Sequence, residues 1–128
     1  MIMAGIGAQK GVKADDVLAA LDAALRAHAL ERKAITALCT NAAKASEDGI
    51  KRAAKVLGID CLVVAPKTLA QAAERTITRS GASIAATGLA SLSEAAALAG
   101  AGRGARLLGP RVAVGPVTCA LATNEDRP

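Results

Sequence analysis

The chain has 128 residues, 33 of them alanine and 12 glycine, and contains no Phe, Tyr or Trp. That length fits one domain with a buried core, while the missing aromatics exclude base-stacking nucleic-acid binders, cation–π cages and aromatic-lined peptide grooves. The net charge of +5 is shared by both halves, with no like-charge run longer than a pair such as Lys51-Arg52; this excludes a basic arm and suits either an anionic small molecule or plain solubility.

Ile2–Ile6 is a short apolar run, and Gly5-Ile6-Gly7 followed by Gln9-Lys10-Gly11 predicts a strand, a glycine-rich turn and a helix. The helix spans Ala14–Ala29, with Val17, Leu18, Leu21 and Leu25 on one face and Asp15 and Asp16 in its first turn. Ile35–Thr40 alternates apolar and small polar residues, the pattern of a second strand. A helix opening at Ser46-Glu47-Asp48 runs to Leu57 and ends at Gly58. Ile59–Val64 is a β-branched third strand, and Pro66 starts a short helix reaching about Glu74.

Residues 75–90 have no period and are expected to form a loop. Ser91-Leu-Ser-Glu94 has the form of a reciprocal capping box opening a helix over Ala95–Ala99, ended by Gly100 and Gly102. Arg106–Gly109 and Val117–Ala122 are the last strands, separated by a turn with Pro110, Gly115 and Pro116. The sum is a three-layer α/β/α domain over residues 1–123, with a polar tail at 124–128. Its sheet is mixed and mostly parallel, of about five strands, ending in an antiparallel hairpin. A core of methyls and short branches further implies that helix and sheet approach closely.

Cys39, Cys61 and Cys119 form no CxxC pair or Cys/His cluster and sit in apolar runs, so they read as core thiols and no metal site is expected. The opening residues lack the pattern of a signal peptide and no apolar window is long enough to span a bilayer. A cytoplasmic protein with no membrane or nucleic-acid partner is expected.

Gly5-x-Gly7-x-x-x-Gly11 does not complete a dinucleotide fingerprint, because Lys10 stands at the third glycine position and the second strand ends Cys39-Thr40-Asn41 without an acidic residue. What remains is a strand-to-helix turn whose backbone N–H groups, with Lys10 and Lys13, could cradle a carboxylate or phosphate; two solvated lysines beside a tight turn explain the residues equally. Lys44, Glu47 and Asp48 follow the second strand at the same sheet edge. An amine and a carboxylate there could bind a polar substrate or activate water, or could be first-turn helix charges. His28, the single histidine, falls in the last turn of the first helix, at the opposite edge, so no Ser-His-Asp or Cys-His arrangement can be built.

Four stretches in order carry a resemblance: Gly5-Ile-Gly7-x-x-Lys10-Gly11, Lys44-x-x-Glu47-x-Gly49, Thr87-Gly88-x-x-Ser91-x-x-Glu94-Ala95-Ala96 and Leu107-Leu108-x-Pro110 … Val117-Thr118. Together they resemble the CobE/CbiG C-terminal family of cobalamin biosynthesis over nearly the whole chain. The first turn departs from that family in having Ala8-Gln9-Lys10 where a cysteine and a basic pair are frequent, and the closing hairpin has Arg111-Val-Ala-Val114 for a basic-aromatic stretch. The resemblance implies a corrin-ring intermediate as ligand or substrate, no intrinsic cofactor, and other cobalamin-biosynthesis enzymes as partners. By position it implies Gly5, Gly7, Lys10 and Gly11 as the family's first turn, Lys44 and Glu47 as its second-helix entry, and Gly88, Ser91 and Glu94 as its third motif. With Lys13 of the anion cradle and Thr40 and Asn41 at the end of the second strand, the expected ligand-binding residues are Gly5, Gly7, Lys10, Gly11, Lys13, Thr40, Asn41, Gly88 and Ser91. Three roles stay open: a carrier or accessory protein for a corrinoid; a hydrolase opening the lactone of a precorrin-5A-type intermediate, with Glu47 activating water and Lys44 or Lys10 stabilising the oxyanion; and a protein-interaction subunit with an incidental cleft.

Overall fold

The structure is a computed structural model that describes residues 1–79, 81, 84 and 91–124. Its sheet is built around β1 (Ile2–Ala8), which pairs in parallel with β2 (Ile35–Thr40) on one side and antiparallel with the last strand on the other. β3 (Asp60–Val63) extends the parallel part beyond β2 and forms one edge. The last strand, β6 (Val117–Thr123), is flanked at the other edge by β4 (Arg106–Leu107) and β5 (Val112–Val114), which pair with successive parts of it. The sheet therefore has six strands in a mixed arrangement. The sixth is β5, which occupies what the sequence suggests is turn: Val112 and Val114 pair with Cys119 and Val117 across Gly115-Pro116. Gly115 takes φ +57, the left-handed backbone that a tight hairpin requires.

Strand alternation sorts the side chains onto two unlike faces. Ile2, Ala4, Ile6, Leu38, Val117, Cys119 and Leu121 meet helix α1 (Ala14–Ala27) and helix α3 (Asp48–Leu57). α1 buries Val17, Ala20, Leu21, Ala24 and Leu25, a stripe at 3–4 spacing, and α3 buries Ile50, Ala53 and Ala54. Gly58, at φ +71, ends α3 in the left-handed conformation expected of it.

The other face carries Met3, Ala37, Cys39, Ala120 and Ala122, together with Gly5 and Gly7, and is covered by α4 (Pro66–Ala72) and α5 (Leu92–Ala101). α5 is buried nearly all round, as a helix apolar on every side must be. Small side chains on both partners let it lie against β1: a Cβ on Gly5 would fall on the Ser93 carbonyl oxygen. Gly5 and Gly7 belong to β1 and not to the turn that follows: Gly5 admits this helix, while a Cβ on Gly7 would crowd Thr118 Oγ1 of the neighbouring strand. Gly100 likewise does not end α5; it lies within it, where a Cβ would collide with the Cys39 sulfur.

α5 starts at Leu92, directly after the capping residue Ser91 and three residues before the Ala95–Ala99 span expected from the sequence. Ser91 caps it, Oγ accepting from the Glu94 N–H at 3.4 Å. The reciprocal half of the capping box is not made, because the Glu94 carboxylate turns away and accepts from Ile77 N–H (2.6 Å), Thr78 N–H (2.8 Å), Thr78 Oγ1 (2.7 Å) and Arg111 N–H (2.8 Å). Four donors offset the cost of burying this carboxylate. The loop expected over 75–90 lies mostly outside the described residues, as do Thr87, Gly88 and residues 125–128 of the tail. Among the described residues no helix is long and apolar enough to cross a membrane.

Candidate functional site

The parallel strands β1, β2 and β3 deliver their carboxyl ends to one rim of the sheet, and the segments leaving them open α1, the short α2 (Ala42–Ala45), α3 and α4. α5 begins at the same rim from the opposite face, since the Ser93 nitrogen lies 3.8 Å from where a Gly7 Cβ would stand. The positive ends of the α1, α3 and α5 macrodipoles thus point to one edge.

The first turn, residues 9–13, is tied down at alternate positions. Gln9 N–H donates to the Pro116 carbonyl (3.0 Å), Gly11 N–H to Glu47 Oε1 (2.9 Å) and Lys13 N–H to Asp16 Oδ2 (3.1 Å). The N–H groups of Lys10 and Val12 have no partner among the described residues. Gly11 adopts φ +76, and Lys10, Gly11 and Lys13 are exposed. Beneath the turn, Gly49 at the start of α3 lacks the Cβ that would strike the Val12 carbonyl, so turn and helix are in backbone contact.

The second connection supplies the other predicted residues. Thr40 is fully buried and its Oγ1 donates to the Ile6 carbonyl at 2.7 Å, satisfying an acceptor where the β1–β2 ladder ends. Asn41 caps α2, with Oδ1 accepting from Lys44 N–H at 2.9 Å. Glu47 is the N-cap residue of α3 but makes no side-chain cap; its carboxylate reaches across to Gly11 instead. Among the described residues no Lys or Arg lies within ion-pair distance of Glu47. Lys44 is half-buried at the end of α2, with its ammonium unpaired among the described residues.

The rim therefore gathers Lys10, Gly11, Lys13, Asn41, Lys44 and Glu47, places Ser91 at the helix N-terminus facing it from the far side, and leaves Gly5 inside the sheet. Thr40 and Ser91 are fully buried, each engaged in a hydrogen bond within the fold. Alongside the first turn runs an open groove of about 550 Å³ lined by Val12, Lys13, Ala14, Asp15, Asp48, Gly49 and Arg52. Asp48, read in the sequence together with Lys44 and Glu47, lines this groove as the first residue of α3. Arg52 is not singled out in the sequence, and the signal available for it is its place one turn further along the same helix. His28 lies at the other end of α1 as its C-cap residue, beside Gly109. Glu94, read as a capping carboxylate, instead locks residues 77–78 and 111 to α5. Burial alone would raise its carboxyl, but hydrogen bonds from Thr78, Arg111 and Ile77 outweigh that and hold it below the ordinary glutamate range. Among the described residues no three His, Cys, Asp or Glu side chains cluster as metal ligands do.

An open, mixed α/β sheet with helices on both faces and a helix-lined rim at the carboxyl ends of its parallel strands defines the class of this domain. Within that class, residues 2–122 match the family described as cobalamin synthesis G C-terminus, and the chain belongs to this family. It is similar to the crystal structure of CobE, a protein from the cobalamin (vitamin B12) biosynthetic pathway, at 32% identity over 95% of this chain and 89% of that one, with a TM-score of 0.89. It is also similar to the cobalamin biosynthesis protein chiG from Agrobacterium tumefaciens, at 44% identity over 98% of this chain and all (100%) of that one, with a TM-score of 0.78. A cobalamin biosynthesis protein G homologue from Sulfolobus solfataricus shares the fold at 22% identity and a TM-score of 0.69; this chain covers 37% of its length. No curated protein matches the chain.

Proposed function

We propose that this protein binds a corrin-ring intermediate of cobalamin biosynthesis, in a carrier or accessory role, at the rim formed by residues 9–13 and 41–52. The observation that carries this reading is the pair of N–H groups at Lys10 and Val12 that have no partner among the described residues, lying at the N-terminus of α1 beside the cations Lys10, Lys13 and Arg52. Corrin precursors present acetate and propionate carboxylates around an apolar ring, and N–H groups at a helix start together with Lys and Arg are the partners such carboxylates need. The groove is open and modest in size, which suits gripping one side of a macrocycle rather than enclosing it. A carrier of this kind passes its cargo to other enzymes of the pathway, and an open rim leaves the rest of the ring accessible to them.

The hydrolase reading asks Glu47 to activate water. One carboxylate oxygen is already engaged by Gly11, so the geometry supports binding more directly than general-base chemistry. The two readings separate experimentally. Mixing the protein with hydrogenobyrinic acid should shift the corrinoid spectrum and cause co-elution, with Lys10→Glu weakening the affinity by about tenfold. Absence of both shift and co-elution overturns the binding reading. Release of acetaldehyde from a lactone-bearing corrinoid, abolished in Glu47→Gln, would replace it with hydrolysis.

A further inference from the structure

Within that rim, which rests on the corrinoid-binding reading, the structure gives Glu47 a different task from acid–base chemistry. We propose that Glu47 is a positioning residue: its carboxylate fixes the Gly11 N–H and so sets the turn in the form that leaves the Lys10 and Val12 N–H groups for a ligand carboxylate.

Four observations converge on this. The bond from Gly11 N–H to Glu47 Oε1 is 2.9 Å and joins residues 36 apart, so it fixes one connection of the fold against another. Gly11 stands in the left-handed region at φ +76, a conformation glycine visits freely and therefore needs an external contact to hold. Glu47 makes no cap bond to its own helix, which leaves its side chain free for this contact. Gly49 lets α3 press on the Val12 carbonyl, so the carboxylate and the turn are carried by backbones in van der Waals contact.

The partition of the N–H groups follows. With Gln9, Gly11 and Lys13 each donating within the protein, the two left over flank Gly11, one on either side. A carboxylate already sits on the Gly11 amide, so an incoming ligand carboxylate is directed to Lys10 and Val12, with the Lys10 ammonium alongside. Specificity for an anion at this turn then depends on Glu47 although Glu47 never touches the ligand.

Glu47→Gln keeps an amide oxygen for Gly11 but removes the charge; Glu47→Ala removes the acceptor. Neither variant removes a helix cap, and far-ultraviolet circular dichroism checks that each is folded. The first readout needs no ligand: hydrogen exchange of the Gly11 amide, resolved by nuclear magnetic resonance. It should be protected in the wild type, quicken by about tenfold in Glu47→Ala and change by less than about threefold in Glu47→Gln. The second readout is the affinity for hydrogenobyrinic acid, expected to fall by about tenfold in Glu47→Ala and to be restored in Glu47→Gln. A Gly11 amide that exchanges alike in all three proteins overturns the proposal. So does loss of binding in Glu47→Gln with the Gly11 amide still protected, since the carboxylate would then act on the ligand itself. If the wild type binds no corrinoid while the Gly11 amide responds as described, the corrinoid reading fails and the positioning of the turn by Glu47 stands.

Discussion

Gly5 lies face to face with Ser93: the backbone of α5 crosses β1 so closely that a Cβ at residue 5 would overlap the Ser93 carbonyl and stand 2.6 Å from the Ala97 nitrogen. Both obstacles are backbone atoms, which no rotamer change can move aside. Gly5→Ala should therefore lower stability by about 3 kcal/mol, the cost of overpacking where the layers must separate. Gly58→Ala is the contrast, with open space around it and only its left-handed backbone to strain, and should cost about 1 kcal/mol. Urea unfolding followed by circular dichroism measures both, and a Gly5→Ala midpoint no lower than that of Gly58→Ala would contradict the close approach.

The carboxylate of Glu94 ties stability to pH. Its folded form is held below the ordinary glutamate range, which lies near 4.3 when unperturbed. Between the two values the unfolded chain binds the proton and the folded chain does not, so stability rises with pH there. The contribution is complete above the unfolded value and is lost as pH falls through the folded one. Glu94→Gln places an amide NH₂ among the four donors and should cost about 2–4 kcal/mol at neutral pH. The same variant should show a shallower loss of stability in acid than the wild type; parallel acid-unfolding curves would remove Glu94 from the pH response.

The cysteines should divide by depth. Burial pushes the Cys119 thiol up to about 12. Cys39 is likewise pushed up to about 12 by burial, with a further contribution from the Cys61 charge. Cys61 is half-buried in β3, on the opposite face of the sheet from Cys39, and is raised by burial alone. With a thiolate-selective aromatic disulfide at pH 8, one equivalent should react in the native protein, more slowly than a free thiol, and three in denaturant. Cys61→Ser should abolish the native reaction, and a second native equivalent would show that α5 exposes Cys39.

Arg32 closes the segment after α1 by a two-pronged contact, with Nε donating to Asp22 Oδ1 and Nη2 to Asp22 Oδ2, both at 2.9 Å. Those hydrogen bonds lower the Asp22 carboxyl against the opposing effect of burial, with the charges of Arg32 and Arg26 assisting. The pair is open to solvent, with side-chain exposures of 45% and 33%, so its worth is small. Arg32→Lys loses the planar fork and should cost about 0.5 kcal/mol at low salt, with the difference vanishing in 1 M salt. A salt-independent loss would point to packing of the arginine stem.

The parallel half of the fold was legible in the sequence because each of its elements carries a strong local signal: the 3–4 stripe of α1, the alternation of β2, the αL glycine after α3. Gly5, Gly7 and Gly100 misled for one shared reason. Glycine marks a turn or helix end when the backbone needs a positive φ, and marks a close approach when a neighbour needs the room; the sequence shows the residue and hides which need it serves. Glu94 sits where a capping box predicts it, yet its carboxylate is claimed by residues 77, 78 and 111, contacts that exist only after folding. At the rim, Lys10, Lys44 and Glu47 were legible as a group because loops leaving neighbouring parallel strands must meet. The bond from Gly11 to Glu47 was not, since nothing local in either segment foretells a partner 36 residues away.

The position of β6 has a consequence for how the protein is made. β1 is the first strand to be synthesised, yet its antiparallel neighbour is the last, and Thr123 Oγ1 donates to the Met1 carbonyl across a separation of 122 residues. Until β6 arrives, one side of β1 presents unpaired N–H and C=O groups. On the ribosome the nascent chain can assemble β1, α1, β2, α3 and β3 in order, but must hold an open sheet edge until β6 emerges. The same adjacency makes residues 1 and 124 joinable by a short linker, with new ends opened at Gly58, whose surroundings are empty. Such a permutant would bring β6 and β1 together as a local hairpin and convert the slowest contact of the fold into its fastest.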